Sequence, residues 1–201
     1  LICDLDGVLW IKNAPAKGAV QFIDELRSYH IPFCILTNDC STSKAKRLEA
    51  LTEAGFKLSP EELITAPEIA MNWLKNEGVK SILFLGNPEA INDISMDIEI
   101  NNNTSVEAVV IGDLFDHYDR NLLNHAAKAI INGAIFVAIQ KNSLWSDGVE
   151  WFIDNGFWVS GLEFVTGKNA LVTGKPYKNA YISALEGLGI STGNNSNILF
   201  V

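Results

Sequence analysis

The sequence predicts an α/β protein: a parallel sheet covered by helices. Two observations carry that prediction. Short apolar runs of strand length alternate with longer segments whose apolar residues recur at helical spacing. Repeated strand–helix–strand units also require parallel strands, because each helix returns the chain to the end of the sheet it left. The composition suits a folded chain. Of 201 residues, 48% are hydrophobic and 19% charged, which excludes global disorder and allows one large domain or two small ones.

The elements follow in order. Leu1–Leu5 reads as a strand. Gly18–Tyr29 carries Val20, Ile23 and Leu26 at helical spacing, and Ile31–Leu36 is a second strand. Ser41, Thr42 and Ser43 offer N-caps for a helix over Lys44–Glu53, with Gly55 to end it. Pro67–Asn76 is helical, and Ser81–Leu85 is a strand stopped by Gly86. A polar turn cluster follows at Asn101–Ser105. Ala108–Ile111 is a strand, Arg120–Ile131 a helix and Ala134–Ile139 a strand. Ser143–Ser160, rich in Trp and Gly, resists assignment. Ala170–Val172 is a short strand, Tyr177–Leu188 a helix and Asn197–Val201 a last strand.

Charge and cysteine usage narrow the function classes. Lys and Arg number 15 against 24 Asp and Glu, a net charge of −9. A general nucleic-acid binder needs a cationic face and is not expected. Cys3, Cys34 and Cys40 are odd in number and form no CxxC pair, so neither a disulfide framework nor structural zinc is expected and a cytoplasmic setting is the default. No apolar run approaches the ~18 residues that span a bilayer, so no membrane partner is expected. Leu1 is not methionine, and both ends fall inside apolar runs; both ends are expected to be cut.

Three short motifs could carry chemistry, each directly after an expected strand. Asp4-Leu5-Asp6-Gly7 puts two carboxylates two residues apart at a strand's carboxyl end, where open α/β sheets bind ligands. Such a pair can divide into nucleophile and proton donor, and it offers hard oxygen ligands to Mg²⁺. Taken alone, it is equally well a strand end and an Asp-Gly turn. Thr37-Asn38 ends the second strand, where a hydroxyl and backbone N–H groups can hold phosphate oxygens; alone, it reads as helix capping. Gly174-Lys175-Pro176 puts a lysine after a strand; alone, it is a surface lysine before a proline turn. Convergence of all three on one sheet edge is the economical reading.

Taken together, these motifs resemble the haloacid dehalogenase superfamily of phosphotransferases. Asp4–Val8 is similar to its first motif, Thr37-Asn38 to its second and Gly174–Pro176 to its third. The long stretch between the second and third resembles the type-2 α/β cap of the NagD-like branch. Ala138–Lys141 and the run from Gly161 to Pro176 are most similar to one group. That group contains the haloacid dehalogenase-like hydrolase domain-containing 2 proteins and the phospholysine phosphohistidine inorganic pyrophosphate phosphatases. The resemblance implies a Rossmann-like three-layer core over residues 1–79 and 170–201, with an inserted cap over 80–169. It implies a Mg²⁺-dependent phosphatase acting on small phosphorylated substrates. Asp4 would be the nucleophile, Asp6 the acid and base, and both would hold the metal. Thr37 and the Asn38 backbone would bind the phosphoryl group, and Lys175 would neutralise Asp4 and the phosphate. A homodimer through the cap fits the same resemblance.

The departures are as informative. The fourth motif, which adds metal-binding acids, is expected beyond residue 201. Asp113, Asp116 and Asp119 imitate it, yet they precede Lys175, and so are expected to be cap-surface or helix-start residues. Gln140-Lys141-Asn142 stands where many relatives carry Asn-x-Asp, which makes Lys141 and Asn142 candidates for substrate selection. Trp145, Trp151 and Trp158 could line the cap cleft, although aromatics at that density are more often core. His30, His117 and His125 are given no role. Two rivals remain: a catalytically impaired phosphate-binding or scaffolding protein on the same fold, and a receiver-like phosphoacceptor, against which the length argues.

Overall fold

The computed structural model describes residues 1–93, 97–114, 119–146, 149–190 and 197–201. It contains β1 (Ile2–Asp4), β2 (Trp10–Ile11), β3 (Ala14–Pro15), α1 (Ala19–Ser28), β4 (Cys34–Thr37) and α2 (Lys44–Glu53). These are followed by β5 (Leu63–Thr65), α3 (Ala66–Asn76), β6 (Ser81–Leu85), β7 (Glu99–Ile100), β8 (Ala108–Ile111) and α4 (Arg120–Ile131). The rest is β9 (Ile135–Ala138), β10 (Leu144–Ser146), β11 (Trp151–Ile153), α5 (Gly156–Thr166), β12 (Leu171–Val172) and α6 (Lys178–Gly187).

Two parallel sheets organise the chain. The first has the order β1-β4-β5, with β1 also bridged in parallel to Phe200 on its other side. Asp4 N–H donates to the Val201 carbonyl at 2.7 Å, and Ile2 N–H to that of Leu199 at 2.9 Å. The chain thus builds outward from β1 and returns on the opposite side of it, so β1 is the point where strand order reverses. Ligands bind at that point, outside the carboxyl ends of the strands.

Alternation along the strands sets the layers. Cys3, Ile35 and Leu63 face α1 and α2, packing with Ile23, Leu26, Leu51 and Phe56. Ile2, Cys34, Leu36 and Ile64 face the other way, onto Ile69 of α3 and Ala180, Ala184 and Leu185 of α6. Being buried on both faces, these strands read as continuous apolar runs.

The second sheet has five strands in the order β12-β9-β8-β6-β7, every pairing parallel. One face packs on α4 and α5 through Val109, Ile111, Ala126, Ile130, Val159 and Leu162. The other packs on α3 through Ile82, Phe84, Val110, Ala70, Met71 and Leu74. Helix α3 therefore lies between the sheets and lends an apolar stripe to each.

The helices over 44–53 and 120–131 and the strands over 81–85 and 108–111 match the expected spans. Ser43 accepts the Lys46 N–H at 3.2 Å, and Gly55 takes a φ of 101°, the left-handed conformation that ends α2. Other elements differ. The second strand begins at Cys34 rather than Ile31, since Pro32 cannot donate to a ladder. β5 stands where no strand was expected, and β2-β3 is an unexpected hairpin turned by Lys12 and Asn13 at φ 50° and 61°. Within the unassigned 143–160 stretch lie the β10-β11 hairpin and the start of α5. Trp145 stacks on Phe152 at 4.7 Å, Trp158 is partly buried against the α4–α5 cluster, and Trp151 is 72% exposed. β12 pairs with β9, so this strand just before Lys175 joins the sheet of the preceding segment. No helix among the described residues is long and apolar enough to cross a membrane.

Candidate active site

The carboxyl ends of the two sheets meet around β1. Asp4 closes that strand, and Gly7, at φ 88°, turns the chain away directly after the second carboxylate. Thr37, fully buried at the end of β4, donates its hydroxyl proton to Asp6 Oδ2 at 2.8 Å. Its own oxygen also accepts the Asp39 N–H at 3.0 Å.

Lys175 lies 171 positions after Asp4 in the chain, yet its Nζ is bonded to Asp4 Oδ1. The Asn38 amide holds the Lys175 backbone: Oδ1 accepts its N–H at 2.8 Å and Nδ2 donates to its carbonyl at 2.9 Å. The expected residues Asp4, Asp6, Thr37, Asn38 and Lys175 thus form one connected group.

The two cap-loop candidates separate. Asn142 turns toward the site, its Oδ1 3.5 Å from Asn38 Nδ2. Lys141 turns away, pairing with Glu163 Oε2 of α5 at 2.6 Å. A buried network fixes the loop beneath them. Gln140 donates to Asp154 Oδ1 at 2.6 Å and accepts the Asn142 N–H at 2.6 Å, while Asn155 Nδ2 donates to the Gln140 carbonyl at 2.8 Å.

Asp39 and Arg47 were not anticipated. Arg47 Nε donates to Asp39 Oδ2 at 3.0 Å, and Asp39 Oδ1 accepts the Ser41 N–H at 3.0 Å and its hydroxyl at 2.6 Å. The sequence signal was faint: an acid just after Thr37-Asn38 and a cation on the following helix. Asn87, after β6, reaches across to the Ser41 carbonyl. Of the three imitating acids, Asp119 caps α4 by accepting the Asn121 N–H at 2.8 Å. Asp113 lies near Cys40, and Asp116, like His117, falls outside the described residues.

The surroundings of the two carboxylates differ. Desolvation, chiefly, pushes the Asp6 carboxyl above the ordinary aspartate value; the Thr37 hydrogen bond opposes this, and the charges of Asp39 and Asp4 add to it. Asp4 instead has the Lys175 ammonium on its carboxylate. Cys40 is inert, its thiol pushed well up by full burial and then by Asp113, Asp39 and Asp154.

The donor chemistry fits a hard divalent cation. Among the described residues no group of three His, Cys, Asp or Glu side chains forms a metal cluster. Mg²⁺ does not require one: it is commonly held by one or two carboxylates, with water and substrate phosphate completing its shell. The Asp4 carboxylate and the Asp6 backbone carbonyl are the hard oxygens that would hold it.

Residues 1–97 match the family model described as haloacid dehalogenase-like hydrolase. The chain is 30% identical over 190 residues to the cattle haloacid dehalogenase-like hydrolase domain-containing protein 2, covering 94% of this chain and 71% of that protein. Its fold is similar to that of NagD from E. coli K-12, with a TM-score of 0.83 at 22% identity over 94% of this chain and 74% of that one. It is also similar to the glycerol phosphate phosphatase Rv1692 of Mycobacterium tuberculosis, solved in complex with magnesium. There the TM-score is 0.82 at 26% identity, over 92% of this chain and 56% of that one.

Proposed function

The chain belongs to the haloacid dehalogenase-like hydrolases, in their NagD-like branch, and from that premise we propose a Mg²⁺-dependent phosphatase that works through an aspartyl-phosphate on Asp4. The substrate class is small phosphorylated metabolites, in keeping with the phosphatase named among its relatives.

The observation that carries this reading is the Lys175 Nζ bond to Asp4, in the same cluster where Thr37 donates to Asp6 at 2.8 Å. Lys175 holds the Asp4 carboxylate in place. An Asp4 oxygen attacks phosphorus as the bond to the leaving oxygen breaks. Asp6, whose carboxyl is pushed above the ordinary aspartate value by desolvation, would deliver a proton to that oxygen. Asp6 then takes a proton from the water that attacks the phosphorylated Asp4, releasing inorganic phosphate and restoring both groups. Thr37 and the Asn38 backbone hold the phosphoryl oxygens. Asp4 and Asp6 would hold Mg²⁺, which when bound offsets the charge of two anions brought together. In the cap loop, Asn142 faces the leaving group, and Lys141 acts on it indirectly by tying the loop to Glu163.

The test is hydrolysis of p-nitrophenyl phosphate with Mg²⁺ by the protein and its Asp4→Asn variant. Loss of activity on the order of 10⁴-fold or more is expected in the variant. An Asp4→Asn variant that keeps most activity would overturn the nucleophile. A wild-type protein that binds inorganic phosphate but never turns over would favour the scaffolding alternative.

A further inference from the structure

The lysine of the site hangs on a long, flexible stem, so something must fix where that stem begins. We propose that the Asn38 side chain is a positioning residue: its amide clasps the Lys175 backbone and thereby aims the ammonium at Asp4. This rests on the phosphatase reading above and assigns the Asn38 side chain a task separate from holding phosphate.

Three observations carry it. The first is that the clasp is two-pronged. One amide engages both the N–H and the C=O of the same residue, at 2.8 and 2.9 Å. This also settles which way the amide points, since a flip would set donor against donor and acceptor against acceptor. The second is that the neighbouring residue is shaped by the clasp. A Cβ on Gly174 would lie 2.6 Å from Asn38 Oδ1 and 2.6 Å from the Ile139 carbonyl. Only glycine lets the Lys175 segment approach β4 this closely, and Gly174 N–H then donates to Ile139 at 2.8 Å.

The third is the division of labour along β4. Thr37 and Asn38 are consecutive. Thr37 holds Asp6, while Asn38 holds the residue whose ammonium meets Asp4. Two adjacent side chains at one strand end thus set both carboxylates, one directly and one through a lysine. Asn38 Nδ2 also faces Asn142 Oδ1 at 3.5 Å, so the same amide touches the cap loop.

A positioning residue that acts through Lys175 makes a specific prediction. Asn38→Ala should lower kcat on p-nitrophenyl phosphate by about 10- to 100-fold and leave KM within about threefold. In a Lys175→Ala background the same change should cost less than about threefold, because the group it aims is gone. Orthovanadate affinity, measured by calorimetry with Mg²⁺, gives the same cycle without turnover. If Asn38→Ala fails to fold, Asn38→Ser is read identically, since it stays polar but cannot reach both backbone partners. Equal losses in the two backgrounds, or a KM rise with unchanged kcat, overturn the clasp. A wild-type protein that binds orthovanadate but never turns over would instead sink the phosphatase reading, so the two failures are distinguishable.

Discussion

Asp6 carries its proton more readily than a free aspartate because the surrounding protein displaces water from its carboxyl. That has a thermodynamic consequence. The native state binds this proton more tightly than the unfolded chain does, so stability falls as pH rises from the ordinary aspartate range through the raised value. Asp6→Asn removes the ionisation. It is expected to raise the melting temperature slightly at pH 7, with solvent access at the mouth of the site keeping the gain small. Near pH 3 the gain should vanish. The same variant should lose about 10²- to 10⁴-fold in turnover. Thermal melts at the two pH values, paired with an activity assay, check both. A variant less stable than wild type at pH 7 would contradict the assigned desolvation. At this scale the sequence was legible where chemistry demands particular atoms at a strand end, as with Asp4, Asp6, Thr37 and Lys175. It offered Lys141 for substrate selection but gave no sign of its partner Glu163, which stands 22 positions away on an element that the pattern did not reveal.

That element is α5, and its omission has a physical reason. Gly156–Thr166 is apolar on nearly every side and carries Gly161 in mid-helix, so no polar face marks it as amphipathic. β5 escaped because three residues between a Ser-Pro turn and a helix show no period. Helices α2 and α4 were legible because each has a hydrogen-bonding residue at its start, Ser43 and Asp119. The start of α5 is also where the cap loop is held. A Cβ on Gly156 would come within 2.5 Å of the Asn142 carbonyl oxygen. Gly156→Ala should therefore push the 140–143 loop off α5. We expect a cost of about 1–3 kcal/mol, read as a lower melting temperature, together with an altered ranking across a panel of phosphate esters. An unchanged ranking would mean that the loop does not face the leaving group.

Over the whole molecule, α3 joins the two sheets, giving Ile69 to one and Ala70, Met71 and Leu74 to the other. Among the described residues four apolar clusters hold the fold, and none of them includes Asp4 or Asp6, the residues proposed to hold the metal. Chelation with EDTA is therefore expected to abolish turnover while leaving the melting temperature nearly unchanged; unfolding on chelation would show a structural metal instead. The sequence by itself determined the α/β class, most of the helices, and the strand-end side chains Asp4, Asp6, Thr37 and Lys175 that the fold gathers together, because apolar periodicity and strand-end side chains are local. Tertiary structure alone decided that β12 joins the second sheet, that Lys141 serves Glu163, and that Asn38 grips Lys175. Each of these depends on which distant backbones approach within hydrogen-bonding range, and local pattern does not encode distance across a fold.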